Sequence, residues 1–156
     1  MGERYTAAIA GQSLRERLLP GVTEAVLASH HHGWAVGALT GNGRAVGEAK
    51  LRGAGLGMLI TFGAWGDRAV ERGHLVDEAI AAAEQATGAR YAPDETVLVG
   101  DTPADITAAR LGGAHIVAVA TGRFDTASLA AHRPDAILED LSDTAAFVAA
   151  VGGALG

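Results

Sequence analysis

Residues 97–105 read VLVGDTPAD, and this stretch decides the fold class. The apolar run over 96–100 is short and continuous, which is typical of a strand buried on both faces of a parallel sheet. Asp101 follows at the carboxyl tip of that strand, and Asp105 comes four residues later, on the opening turn of a predicted helix over 104–111. The stretch therefore predicts a strand that passes through an acidic turn into a helix.

The same order of strand and helix extends in both directions from this stretch. It predicts a doubly wound α/β fold, in which a parallel sheet is covered by helices on both faces. Ligands bind such folds beyond the carboxyl ends of the strands. The further strands are predicted over 34–39, 58–62, 116–120 and 136–138, and the further helices over 3–18, 23–29, 44–54, 74–87, 126–131 and 143–151.

The bulk composition limits the class of protein. The chain has 156 residues, which suits one domain, and no cysteine, which excludes disulfides and thiolate sites. A formal net charge of −6 argues against nonspecific binding of nucleic acid. The N-terminus lacks an apolar signal core, and no stretch approaches the ~20 apolar residues of a membrane span. We therefore expect a cytoplasmic protein without nucleic-acid or membrane partners.

Two carboxylates at one strand tip form the first candidate site. Asp101 and Asp105 would converge at the carboxyl edge of the sheet, and paired carboxylates suit a hard divalent cation, most plausibly Mg²⁺. The alternative is that both acids only cap and charge the start of the helix. The residue types alone leave these two interpretations open.

A second candidate site lies at the tip of the 34–39 strand. Thr40 is followed by Gly41, Asn42 and a predicted helix, so a hydroxyl and backbone N–H groups could face an anion such as phosphate. The alternative is a simple turn with a helix cap. His30, His31 and His32 form a third feature, which we interpret as a solvated helix end in preference to a transition-metal site.

Taken together, these motifs resemble those of the haloacid dehalogenase-like (HAD) hydrolases, in the phosphoglycolate-phosphatase-like branch. The resemblance runs from about residue 19 to 151 and implies an α/β core over 19–156, preceded by the remnant of a cap helix over 1–18. The stretches that carry it are LPGV at 19–22, ALTGN at 38–42, AKL at 49–51, GDTPAD at 100–105, VATG at 119–122 and PDAIL at 134–138.

The resemblance implies a role for each candidate residue. Thr40 would bind the transferring phosphoryl group with help from the backbone of Gly41 and Asn42. Asp101 would ligate Mg²⁺, and Asp105 would support the site. The implied reaction is hydrolysis of a small phosphorylated substrate.

The family also needs a cation that neutralises the nucleophile and the phosphoryl group. Arg72 is our first choice for this catalytic role, although the usual following proline is missing. Lys50 is the rival, although it falls in the helix after the second motif. For each of them the alternative is an ordinary solvated surface charge.

The nucleophile that the resemblance implies is not found in this sequence. The family's aspartyl-phosphate chemistry needs a D-x-D-G-T type motif on the first core strand. Here the first aspartate is Asp67, and no D-x-D occurs. That strand would lie centrally, between the strands over 34–39 and 96–100, and the only substitute, residues 5–10 (YTAAIA), carries no carboxylate.

We therefore expect a doubly wound core that lacks its central, nucleophile-bearing strand. The expectation is a truncated HAD hydrolase, inactive as an isolated chain, with self-association through unpaired strands as one consequence. The alternative function is a catalytically dead α/β module that binds a partner or an anion through the remaining half-site.

Overall fold

The computed structural model describes residues 18–66 and 72–156; for Arg72 and Gly73 it describes the backbone alone. Helices and strands alternate along these residues as the sequence predicts. The helices are α1 (Val22–His31), α2 (Arg44–Gly53), α3 (Arg72–Thr87), α4 (Pro103–Gly112), α5 (Thr126–Ala130) and α6 (Thr144–Leu155). The strands are β1 (Ala38–Thr40), β2 (Gly63–Trp65), β3 (Val97–Gly100), β4 (His115–Val119) and β5 (Ala136–Leu138), and a 3-10 turn at Pro93–Glu95 precedes β3.

All strand pairs among the described residues are parallel, which confirms the predicted fold class. β1 pairs with β2, and Leu39 lies opposite Ala64. β4 pairs with β3 on one side and β5 on the other, so the order of the second group is β3-β4-β5. Parallel neighbours require helical crossovers, and the helices between the strands provide them.

Helices cover both faces of the β3-β4-β5 group. On one face, Val76 of α3 and Ile106 of α4 pack with Leu98 and Ile116. On the other face, Ala25 of α1 and Phe147 of α6 pack with Val117. Accordingly, β4 is buried from Ile116 to Val119. Small residues make this packing close, since Gly112 leaves no room for a Cβ against Val76.

Helix α3 joins the two strand groups into one body. It contacts β1 and β2 as well as α4, and Leu39 of β1 packs against the same apolar cluster as Leu98 of β3. Within residues 18–66 and 72–156, the strands form two separate groups, and no strand pair joins β1 or β2 to β3, β4 or β5.

The structure corrects two predicted strand positions. The apolar run over 58–62 was expected to be a strand, but the backbone N–H groups of Leu59 and Ile60 both donate to the Leu56 carbonyl in a turn. Met58 is 91% exposed, and the strand is the following Gly63–Trp65 segment. The first strand likewise lies later than predicted, at Ala38–Thr40.

Two further points bear on the earlier expectations. In the part of the chain that the structure describes, no helix is both long and apolar enough to cross a bilayer. The cap-helix remnant predicted over 1–18 lies outside the described residues, apart from its last position.

Candidate functional site

The turn between β3 and α4 is shaped by the Asp105 side chain. Its Oδ2 atom accepts hydrogen bonds from the backbone N–H of Asp101 at 3.1 Å and of Thr102 at 3.0 Å. The Thr102 hydroxyl donates to the same oxygen at 2.8 Å and accepts from the Asp105 N–H at 3.2 Å. This reciprocal pattern is a capping box with Thr102 as N-cap. The helix-capping alternative therefore describes Asp105 correctly, and the Oδ2 atom of its carboxylate is used inside the turn.

Asp101 stands in a different environment. Among the described residues its carboxylate accepts no hydrogen bond, and it lies against the backbone of Gly122, just after β4. A Cβ at Gly122 would fall 2.2 Å from Asp101 Oδ2, so any larger residue there would require the carboxylate to move. The half-buried Asp101 thus presents its oxygens at the carboxyl edge of β3 and β4.

Thr40, Gly41 and Asn42 form a compact turn at the carboxyl end of β1. The Thr40 Oγ1 atom accepts from the Asn42 backbone N–H at 3.1 Å and from Asn42 Nδ2 at 3.0 Å. Asn42 then accepts from the Gly66 N–H at 2.9 Å through its own carbonyl, which ties the turn to the end of β2. Gly41 and Asn42 are exposed, and the Asn42 N–H is already donated to Thr40 within the turn.

The two candidate turns sit at corresponding places along their strands. Thr40 ends β1 and Asp101 follows β3. That both turns lie at one edge of the domain stays a prediction, since β1 and β3 belong to separate strand groups among the described residues.

The structure describes the two candidate cations, Arg72 and Lys50, in less detail. Arg72 is the first residue of α3, and its side chain is outside the described part of the chain. Lys50 is half-buried in the last turn of α2, and that helix follows the Thr40 turn. The choice between them stays a prediction.

The three consecutive histidines end α1. His30 Nε2 lies 2.6 Å from the Leu59 carbonyl oxygen, and the His32 ring stacks on Trp34 with centroids 5.0 Å apart. His31 is exposed. The side chains thus have different surroundings, which fits a helix end better than a shared metal site.

The candidate Mg²⁺ site is incomplete among the described residues. A site of this kind needs several oxygen ligands in near-octahedral geometry. Asp101 offers one carboxylate with no competing hydrogen bond, whereas Asp105 is engaged in the capping box. In residues 18–66 and 72–156, no group of three His, Asp or Glu side chains is close enough to hold a metal. Further oxygens would have to come from elsewhere.

The roles of Thr102 and Gly122 were not identified from the sequence. The T-x-x-D spacing of Thr102 and Asp105 is close to a capping-box pattern, so the sequence did hold a signal for the first. Nothing local distinguishes Gly122 from the chain's other glycines, because its importance comes from Asp101 on a neighbouring strand.

Comparisons with known proteins agree with this architecture. A family model described as HAD-hydrolase-like matches residues 72–144. No curated protein matches the sequence. A predicted phosphoglycolate phosphatase from Haemophilus somnus has a similar fold, with a TM-score of 0.68 and 22% identity over 84% of this chain and 57% of its own. A predicted phosphatase from Clostridium acetobutylicum has a TM-score of 0.66 and 14% identity over 82% of this chain and 58% of its own.

This chain therefore spans less than three fifths of the length of these two structures. The family model covers α3 to the start of α6, which includes the Asp101 turn, and the shared fold extends to most of the chain. The resemblance of this chain to the HAD-like hydrolases, indicated by its motifs, is thus confirmed.

Proposed function

We propose that this chain carries the phosphate-binding and cation-binding half of a Mg²⁺-dependent phosphomonoesterase that works through an aspartyl-phosphate. The observation that carries the proposal is the placement of Thr40 and Asp101 at the carboxyl ends of β1 and β3. The exposed Gly41 and Asn42 backbone suits a phosphoryl group, and the accessible Asp101 carboxylate suits one position of a Mg²⁺ ion, which would neutralise phosphoryl charge when bound.

Each residue has one role in this proposal. The Thr40 hydroxyl holds the turn that presents N–H groups to the phosphoryl oxygens. Asp105 positions Asp101 by fixing the backbone between them. Arg72, or failing that Lys50, supplies the positive charge beside the nucleophile. We propose further that residues 19–156 form the HAD-like core and that the location is cytoplasmic.

The isolated chain lacks the nucleophile that this chemistry needs. An aspartyl-phosphate needs an aspartate at the end of the central strand, and none of residues 1–66 is an aspartate. We therefore expect the isolated chain to hydrolyse p-nitrophenyl phosphate with Mg²⁺ no faster than its Asp101→Asn variant. Turnover that Asp101→Asn abolishes would contradict this expectation of inactivity.

Ligand binding distinguishes the proposed half-site from a fold of the same shape that binds neither Mg²⁺ nor phosphate. Titration of Mg²⁺ and inorganic phosphate should shift the NMR signals of the Gly41 and Asn42 amides, and Asp101→Asn should weaken the effect of Mg²⁺. Asp94→Asn, an exposed aspartate in the 3-10 turn, is the matched control. No shift at these amides at any concentration would contradict the half-site.

The second candidate function is a catalytically dead module that binds an anion through the same turn. The engagement of Asp105 in the capping box favours it, since one carboxylate alone holds Mg²⁺ weakly. One assay distinguishes the two functions: a peptide strand with the missing aspartates is added to the chain, and hydrolysis of small phosphorylated substrates is measured. Phosphoglycolate is tested first, because the Haemophilus somnus structure is described as a predicted phosphoglycolate phosphatase. Anion binding without turnover under that condition would favour the dead module.

A further inference from the structure

A cavity beside α2 lies apart from the candidate site. It has a volume of about 600 Å³ and is bounded by the second half of α2, by residues 55–61 and by the end of β2. None of the residues given a role in the proposed function lines it. We call it the α2 cavity, and its size is that of a site for a small organic molecule. The side chains that matter for its chemistry are Glu48, Leu51, Arg52, Met58, Ile60 and Trp65.

Two glycines let the walls of the α2 cavity come close together. The six-membered ring of Trp65 lies against Gly47 of α2, where a Cβ would fall 2.2 Å from Cζ3 of the ring. The stem of Arg52 lies against Gly57, where a Cβ would fall 3.0 Å from the Arg52 Cγ. Both side chains are therefore packed on backbone before any ligand is present, as is usual for a site that is largely formed in advance.

The apolar part of the α2 cavity suits an aromatic ring. Leu51, Ile60 and Trp65 are half-buried in its wall, and Met58 is 91% exposed. A single exposed apolar residue is ordinary on a protein surface. Met58, however, lies beside an indole and two aliphatic side chains, and its flexible, polarizable thioether packs well against aromatic groups. A flat apolar ligand would cover surface that water now contacts.

The polar part of the α2 cavity offers two hydrogen-bond donors. Arg44 Nε lies 2.8 Å from Glu48 Oε1, whereas Arg52 Nη1 lies 3.8 Å from Glu48 Oε2. Arg44 therefore engages the Glu48 charge, and the Arg52 guanidinium makes no hydrogen bond among the described residues. The Trp65 indole N–H, a group that only donates, also has no hydrogen-bond partner there. A guanidinium matches the two oxygens of a carboxylate.

We propose that the α2 cavity binds a small aromatic carboxylate, with its ring against Trp65 and Met58 and its carboxylate on Arg52. One guanidinium beside Glu48 suits a single negative charge better than the double charge of a phosphate monoester. The cavity volume sets the size of the ligand, and the apolar wall requires the ring. The site goes beyond the proposed function, because its ligand needs neither Mg²⁺ nor the Thr40 turn.

The indole N–H signals in the NMR spectrum provide the test. The chain has two tryptophans, Trp34 and Trp65, and a Trp34→Phe variant assigns the two signals. The probes are 4-phenylbutyrate, 4-phenylbutanamide, which has the ring without the charge, and butyrate, which has the charge without the ring. We expect 4-phenylbutyrate to shift the Trp65 signal saturably and to leave the Trp34 signal in place. Each of the other probes should bind at least about fivefold more weakly.

Two exposed residues of the α2 cavity can be changed with matched controls. Arg52→Gln should weaken binding of 4-phenylbutyrate about fivefold and leave that of the amide unchanged. Its control is Arg90→Gln, since Arg90 Nη1 lies a similar 3.7 Å from Glu84 Oε2. Met58→Asn should weaken both ring-bearing probes about threefold. Its control is Leu111→Asn, at an apolar residue that is 70% exposed elsewhere.

Three results would overturn the inference. The first is a Trp65 signal that does not move, or that drifts without saturation together with the Trp34 signal. The second is equal binding of the acid and the amide, or binding of the acid that Arg52→Gln leaves unchanged. The third is a Trp65 signal that shifts with protein concentration in the absence of any probe, because a second copy of the chain would then occupy the cavity.

Discussion

Thr102 and Asp105 exchange two hydrogen bonds across the first turn of α4, at 2.8 Å and 3.2 Å. The same Asp105 oxygen accepts from the Asp101 N–H. The side chain that caps the helix therefore also sets the direction in which Asp101 leaves β3. In the sequence Asp105 looks like a second metal ligand, but in the structure it holds the backbone that carries Asp101, the first candidate ligand.

Substitutions of Asp101 and Asp105 should therefore differ in their effect on the free energy of unfolding. Asp105→Ala removes the acceptor of two half-buried backbone N–H groups and should lower the free energy of unfolding by about 1–3 kcal/mol. Asp101→Ala removes a carboxylate without hydrogen bonds among the described residues and should change it by less than about 0.5 kcal/mol. Urea unfolding of both variants measures the difference, and equal losses would contradict the assignment.

The close approach of Gly122 to Asp101 predicts a local effect on cation binding. Gly122→Ala places a Cβ 2.2 Å from Asp101 Oδ2, so the carboxylate must move. We expect weaker Mg²⁺ binding at Asp101, seen as a higher concentration for half of the NMR shift at its amide.

Gly152 is the matched control for this substitution. It lies in α6, and a Cβ there meets nothing within 4 Å. Gly152→Ala should raise the free energy of unfolding by about 0.5–1 kcal/mol, because alanine is the better helix former, and should leave Mg²⁺ binding unchanged. A similar loss of Mg²⁺ affinity in both variants would argue against a local contact.

The sequence predicts the second half of the fold better than the first. The apolar runs of β3, β4 and β5 become buried parallel strands because each is paired and covered by helices. The run over 58–62 is equally apolar, but it forms a turn around the Leu56 carbonyl and leaves Met58 exposed. Periodicity cannot distinguish these cases, since the outcome depends on which segment contacts α3.

Prediction of the candidate site from the sequence meets the same limit. Asp101 and Thr40 were placed correctly at strand ends because the carboxyl edge follows from the strand order. Asp101 and Asp105 differ in their hydrogen bonds because of the geometry of one turn, and residue types alone do not determine that geometry. Gly122 acquires its importance from a side chain on the adjacent strand, a long-range contact without a local signal.

The Thr40 turn provides a prediction about phosphate binding. Thr40→Ser keeps the oxygen that accepts from both Asn42 nitrogens, whereas Thr40→Val removes it. We expect Thr40→Val to weaken binding of inorganic phosphate about tenfold. Each lost hydrogen bond removes about 1 kcal/mol of turn stability, so the Gly41 and Asn42 amides are no longer held in position. Thr40→Ser should bind like the original chain. Isothermal titration measures both, and equal affinity of all three proteins would contradict the role given to this hydroxyl.

Asp135, which precedes β5, gives a prediction about pH. Burial raises the pKa of Asp135, but the hydrogen bond from the Ile116 N–H and the Arg110 guanidinium outweigh it, helped by His115, and hold the pKa below its usual 3.8. Arg110 Nη1 lies 3.0 Å from Asp135 Oδ2. A carboxyl whose pKa is lowered by folding stabilises the native state fully above its unfolded pKa, and this contribution is lost as the pH falls through the folded pKa.

Removing the guanidinium should therefore show its effect most clearly above pH ~4. Arg110→Met should lower the free energy of unfolding at neutral pH by about 1 kcal/mol, a modest value because solvent screens the partly exposed pair. The difference from the original chain should shrink as the pH falls from 3.8 through the lower pKa of Asp135 in the folded chain. Arg90→Met is the control, since the Arg90 side chain is 93% exposed. Urea unfolding from pH 7 to pH 3 measures all three proteins, and a pH-independent difference for Arg110→Met would show that lost packing, not the charge on Asp135, is the cause.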